Sequence, residues 1–172
     1  MKGFIFMAIG CAGFCLAACN TNDKEKKSTG QSANTTDKRD AQISFKVNGQ
    51  LVTTTGWNIS RFDMGKGTQL NITTNMHEDK RTIMINVKGT AAGDYSIKTD
   101  GQAYGDYKPD YNDLLNFYSF KDGIFSINTI DTVNNILNAA FEGTVQNSGG
   151  ESLNITEGKI LNAKLTPGVT RY

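Results

Sequence analysis

Tyr104, Tyr107 and Tyr111 are interleaved with Asp106, Asp110 and Asp113 in the stretch from Asp100 to Asp113, DGQAYGDYKPDYND. Flat aromatic faces with polar tips, set among oxygen acceptors, suit contact with a sugar ring or a partner-protein surface. The six residues are the candidate binding set. The same segment also reads as a long connection between strands, solvated by its acids and pinned by its tyrosines, and connections of that length are often functional. A calcium site built from these oxygens would need a D-x-[DN]-x-[DN]-G spacing, which the segment lacks.

Catalytic constellations are sparse. His77 is the only histidine and sits in the polar run Asn75-Met76-His77-Glu78-Asp79-Lys80, the composition of a surface loop. Zinc sites draw on several His or Cys ligands, and a nucleophile-histidine pair needs a positioned base, so neither metal nor cofactor is expected. G-x-S-x-G, H-E-x-x-H and P-loop motifs are absent, and Gly65-Lys66-Gly67 is too short to cradle a phosphate. The 17 acidic residues are scattered without a pattern that pairs two of them for acid-base work. No catalytic residue is assigned.

These side chains need a scaffold, and the pattern that supplies one is β. Ile43, Phe45 and Val47 alternate with polar residues, and Asn48-Gly49 then offers the positive φ angles of a tight hairpin before Leu51 to Thr55. Three triplets, Asn58-Ile59-Ser60, Asn71-Ile72-Thr73 and Asn154-Ile155-Thr156, each place one isoleucine between polar neighbours, as in half-buried strands with isoleucine inward. Ile83, Ile85 and Val87 repeat the alternation. Asp122-Gly123 predicts a hairpin between Leu115 to Phe120 and Ile124 to Ile130, and Asn134-Asn135 predicts another before Ile136 to Val145. Ser148-Gly149-Gly150 predicts a turn before strands at Ser152 to Thr156 and Lys159 to Leu165. Only Pro109 to Leu115 has the makings of a helical turn. Trp57, the single tryptophan, starts a strand and is expected to be buried. The whole predicts an all-β fold, an antiparallel sandwich or partly closed barrel of about nine to ten short strands.

The chain's beginning carries a different signal. Lys2 precedes an apolar run from Gly3 to Ala18 that closes on Leu16-Ala17-Ala18-Cys19, the pattern of a bacterial lipoprotein signal. The expected products are a signal peptide over 1–18, a lipidated Cys19 with a disordered tether over 19–41, and an all-β domain over 42–172. From Asn20 to Ala41 the tether has no aromatic residue and too few apolar side chains to offset its ordering entropy. All three cysteines, Cys11, Cys15 and Cys19, fall in the first 19 residues, so the domain has neither disulfide nor thiol nucleophile.

Formal charge is +1 for the full chain, with 18 basic and 17 acidic side chains, and loss of Lys2 with the signal balances them. Such a surface offers no field for a polyanion, which excludes nucleic acid as a partner. The expected location is the outer membrane, by lipid on Cys19, and the domain is expected to be monomeric.

The segments ISFKVNGQLVTTTGWNIS (43 to 60), GTAAGDYSI (89 to 97) and ILNAAFEGTVQNSGGESLNITEGKILNAKL (136 to 165) resemble a group of small Bacteroidota-type lipoproteins that share a domain of unknown function. Shared features are a first hairpin of the form F-x-V-N-G followed by an aromatic residue, and a late pair of strands around G-T-V and I-T-x-G. The resemblance implies lipidation and an all-β fold, and carries no site residue. Asp131-Thr132-Val133 is similar to the short acceptor for O-glycosylation of exported proteins in that bacterial group, which makes Thr132 a candidate modification site. Two functional classes follow: a non-enzymatic binding or accessory module engaging an envelope protein or glycan, and, as the alternative, an envelope glycan hydrolase or lyase acting through carboxylates or tyrosines. The missing nucleophile-base constellation favours the first.

Overall fold

The structure is a computed structural model that describes residues 41–54, 56–63, 67–74 and 80–167. These belong to one compact unit, Asp37–Tyr172. Cys19 with its signal, the tether up to residue 40, and His77 lie outside the described residues.

The described residues form an all-β fold without a helix. In chain order the strands are β1 (Gln42–Val47), β2 (Gln50–Thr54), β3 (Trp57–Asp63), β4 (Thr68–Thr74), β5 (Thr82–Val87), β6 (Gly93–Ser96), β7 (Ala103–Lys108), β8 (Tyr118–Asp131), β9 (Ile136–Gln146), β10 (Ser152–Lys164) and β11 (Thr166–Pro167). All belong to one sheet, curled as a half-barrel, in the order β11-β3-β4-β5-β7-β8-β9-β10-β1-β2, with β6 added beside β8. Ten strands pair antiparallel; β11 alone runs parallel, against Ser60 and Arg61 of β3.

Alternation decides what faces the core. Ile43 and Phe45 of β1, Ile59 of β3, Ile72 of β4, Ile83 and Ile85 of β5 and Ile155 of β10 are all buried, so the three Asn-Ile-Ser/Thr triplets do point isoleucine inward. The centre is aromatic: Phe45 packs on Phe141 at 5.9 Å and edge-on against Tyr107 at 6.3 Å, and Phe141 stacks on Phe125 at 6.4 Å. Trp57 is only half-buried against this core and donates its indole N–H to the Lys164 carbonyl at 3.3 Å.

The Asn48-Gly49 hairpin is present, with φ of 47° and 83° closing Val47 on Gln50. The turns at 132–135 and 147–151 also stand where expected. Three expectations are overturned. Asp122-Gly123 is not a hairpin, because β8 runs straight through it with an irregularity between Phe120 and Asp122. Gly123 faces Gly143 across the ladder, and any Cβ there would strike the backbone of Glu142. The glycine serves close strand approach, not chain reversal. Likewise the two strands expected at Ser152 to Thr156 and Lys159 to Leu165 are one, β10, which ends at Lys164 and stays continuous through irregularities in which Glu157 and Asn162 take φ of 52° and 48°. Finally, Pro109 to Leu115 forms turns rather than a helical turn, and β8 begins only at Tyr118.

Candidate functional site on the outer face

The stretch from Asp100 to Asp113 is not one loop. Ala103–Lys108 is β7, paired with β5 on one side and with β8 on the other. Its pleat divides the candidate residues between two faces. Ala103, Gly105 and Tyr107 point into the core; Tyr104, Asp106 and Lys108 point out. Tyr107 is 2% exposed and touches Phe45 and Tyr118, so it is a core anchor and leaves the candidate binding set.

Tyr104 is well exposed, with the Lys88 ammonium 5.9 Å from its ring centroid. Asp106 accepts a hydrogen bond from the Ser119 hydroxyl at 2.6 Å, tying β7 to β8 on the outer face. Asn86 on neighbouring β5 is buried although it faces outward. The Asn71 amide donates to its side-chain oxygen at 2.7 Å, and such pairing offsets the cost of covering it.

After Lys108 the chain folds back over this face. Asp110 accepts from the Asn112 backbone N–H at 2.9 Å and pairs with the Lys80 ammonium at 3.2 Å. The Tyr111 N–H donates to the Lys80 carbonyl at 3.0 Å. Asp113 then accepts from the N–H groups of Leu115 at 3.2 Å and Asn116 at 3.3 Å. Short polar side chains binding their own backbone make such turns rigid. Tyr111 is thereby held as one wall of a depression of about 210 Å³ lined by Thr73, Thr82, Met84, Asp106 and Lys108. The surfaces it presents are mostly apolar.

Tyr111 and Asp106 are therefore brought together, with Tyr104 beside Asp106 on the same face, while Asp110 ties the loop to Lys80 and does not line the depression. Asp113 shapes the loop instead of lining the depression. The residues that sequence reasoning missed are Leu114, Leu115 and Phe117, which it placed in or next to a strand and which stand exposed in the loop. Two adjacent leucines cannot both face a core across a pleat, and that break in alternation was the available signal.

The backbone N–H of Asn112 holds the Asp110 carboxyl below its ordinary range, with the Lys80 ammonium adding to the effect against partial desolvation. A carboxyl whose folded value is depressed contributes stability above its unfolded value, and loses it as pH falls through the lower folded value. The loop should thus hold its shape through mild acid and loosen only below the unfolded value of 3.8. Amide exchange at Tyr111, followed against pH, checks this; loosening at pH 5 would count against the role given to Asp110.

Thr132 lies exposed in the turn between β8 and β9, where Asp131 accepts from the N–H groups of Val133 and Asn134, both at 2.9 Å. A broader trough of about 540 Å³ crosses the outer face at Asp122, Ile124, Glu142, Thr144, Asn154 and Thr156. Every one of those residues belongs to a strand, and among the described residues none from a loop lines the trough as Tyr111 lines the smaller depression. Among the described residues no three His, Cys, Asp or Glu side chains gather as a metal-binding group. Comparison with protein-family models, curated proteins and solved structures returns no match for this chain.

Proposed function

We propose that this protein is an outer-membrane lipoprotein, anchored through Cys19, whose β domain is a non-enzymatic docking module for an envelope protein or glycan. The observation that carries the reading is the pinned position of Tyr111 over the outer face of β5 and β7, which makes a depression of mostly apolar surface whose lining includes the polar side chains of Asp106, Lys108 and two threonines. Such a mixture, concave and mostly apolar with few polar groups, is the usual chemistry of a recognition site. The resemblance to small lipoproteins agrees with the tether.

The glycan-hydrolase alternative needs two facing carboxylates, about 5 to 10 Å apart. Only Asp106 lines the depression, and it is engaged by Ser119. Asp110 is engaged by Lys80 and the loop backbone. These assignments support docking over turnover.

The test keeps Tyr107 and changes Tyr104 and Tyr111 together to serine. In intact membranes, a photo-crosslinking benzoylphenylalanine at position 111 should give discrete adducts that position 133, in the turn after β8, does not. In parallel, isolated cell-wall glycan should retain the wild-type protein at least about tenfold better than the double variant if glycan is the ligand, a difference of about 1.4 kcal/mol. Identical crosslinking at both positions together with unchanged glycan retention would refute the assignment.

A further inference from the structure

β2 (Gln50–Thr54) stands last in the strand order, and among the described residues it pairs with β1 alone. The two-residue turn at Asn48 and Gly49 makes Val47 and Gln50 the closing hydrogen-bonded pair. Bonded pairs then recur at every second position, Phe45 with Val52 and Ile43 with Thr54. The N–H and C=O groups of Leu51 and Thr53 therefore point away from β1, along the open side of the sheet. Val52 between them is buried, whereas Leu51 is 61% exposed on the outer face, across from Lys46.

Natural sheets blunt such edges with charges, prolines, bulges or very short strands. β2 contains no charged residue and no proline, and its register with β1 is unbroken over all five residues. Other strands at the margin of the sheet are treated differently. β3 carries Arg61 and Asp63 and is met at Ser60 and Arg61 by Thr166 and Pro167, while β6, paired with β8, has four residues of which Asp94 is one.

We infer that β2 is a docking edge, which takes an extended segment of another polypeptide as an added strand with an apolar side chain set beside Leu51. The chemistry of the edge selects that class, because donors and acceptors recurring at every second residue match the main chain of an incoming strand in spacing and direction. The chain's own flanking segments do not fit. Residues 20–41 have only Ala33 and Ala41 as apolar side chains, and residues 168–172 follow Pro167, which lies beside β3 at the other end of the strand order. A second copy would pair β2 with β2 antiparallel. The two tethers, which join β1 at Gln42 near the Thr54 end of each hairpin, would then leave from opposite ends of the joined sheet. A separate partner has no such constraint. The edge is independent of the depression under Tyr111.

Amide exchange over β1 and β2 tests this, measured on the full lipidated protein in intact envelopes and again after detergent extraction and purification. Leu51 and Thr53 should exchange at least about tenfold more slowly in the envelope. Thr53→Pro removes an outward donor while keeping the ladder to β1, and Leu51→Lys keeps every backbone group but sets a charge beside the incoming strand. In each variant the outward amides that remain should exchange in the envelope as fast as after purification. Phe45 and Val52, bonded to each other, should stay slow throughout and show that the hairpin is intact. Equal rates for the wild type in the two preparations would overturn the docking edge. Slowing that persists in both variants would overturn the added strand, and slowing that returns when the purified protein alone is concentrated would overturn the separate partner in favour of a second copy.

Discussion

Tyr107→Ser destabilises the domain by about 3–5 kcal/mol, the range for truncating a large buried aromatic side chain. The ring is 2% exposed and lies between Phe45 at 6.3 Å and Tyr118 at 6.3 Å, so its removal opens the aromatic centre of the core. Total stabilities of single domains are about 5–15 kcal/mol, which makes this loss enough to leave much of the variant unfolded at physiological temperature. Tyr104→Ser, on the outer face of the same strand, should cost about 1 kcal/mol or less, chiefly the pairing of its ring with Lys88. Urea denaturation of the two variants side by side measures the difference. Equal midpoints would mean that β7 does not hold the register described here.

On the proposed anchoring through Cys19, Cys19→Ser is expected to remove the protein from the membrane fraction. Each buried methylene of an acyl chain adds about 0.8 kcal/mol of membrane affinity, so the two or more chains of a bacterial lipoprotein hold firmly where one would exchange. Among the described residues no helix is long and apolar enough to cross a membrane and take over that task. The wild type should take up labelled fatty acid and resist a carbonate wash, and the variant should do neither. Persistent acyl labelling of the serine variant would refute lipid attachment at this position, with the outer-membrane anchoring built on it.

Much of the fold is legible in the chain because its causes are local. A pleat alternates side chains between faces whatever the partner strand, so Ile43, Ile59, Ile72, Ile85 and Ile155 could be assigned inward from their neighbours alone. The positive φ of Asn48 and Gly49 is a property of those two residues, and it closes β1 on β2 wherever the hairpin stands. The same local rule, applied to β7, separates Tyr107 from Tyr104 once that segment is known to be a strand. Composition hid it: three glycines or prolines and four aspartates between residues 100 and 113 look like connection rather than ladder.

What tertiary structure alone decided depends on partners distant in sequence. Gly123 reads as a turn by itself, and becomes a point of close approach only because Gly143 lies opposite it across the ladder. Glu157 and Asn162 bend β10 without breaking it because β9 and β1 continue to pair on either side. Tyr111 becomes the wall of the depression because the carbonyl of Lys80 accepts its N–H and the Lys80 ammonium pairs with Asp110 in the loop that follows β7. Side-chain alternation and turn angles are set within a few residues. The placement of the loop over the outer face, and with it the exposure of Leu114 and Leu115, is set by hydrogen bonds and ion pairs that exist only after β5 and β7 have come together.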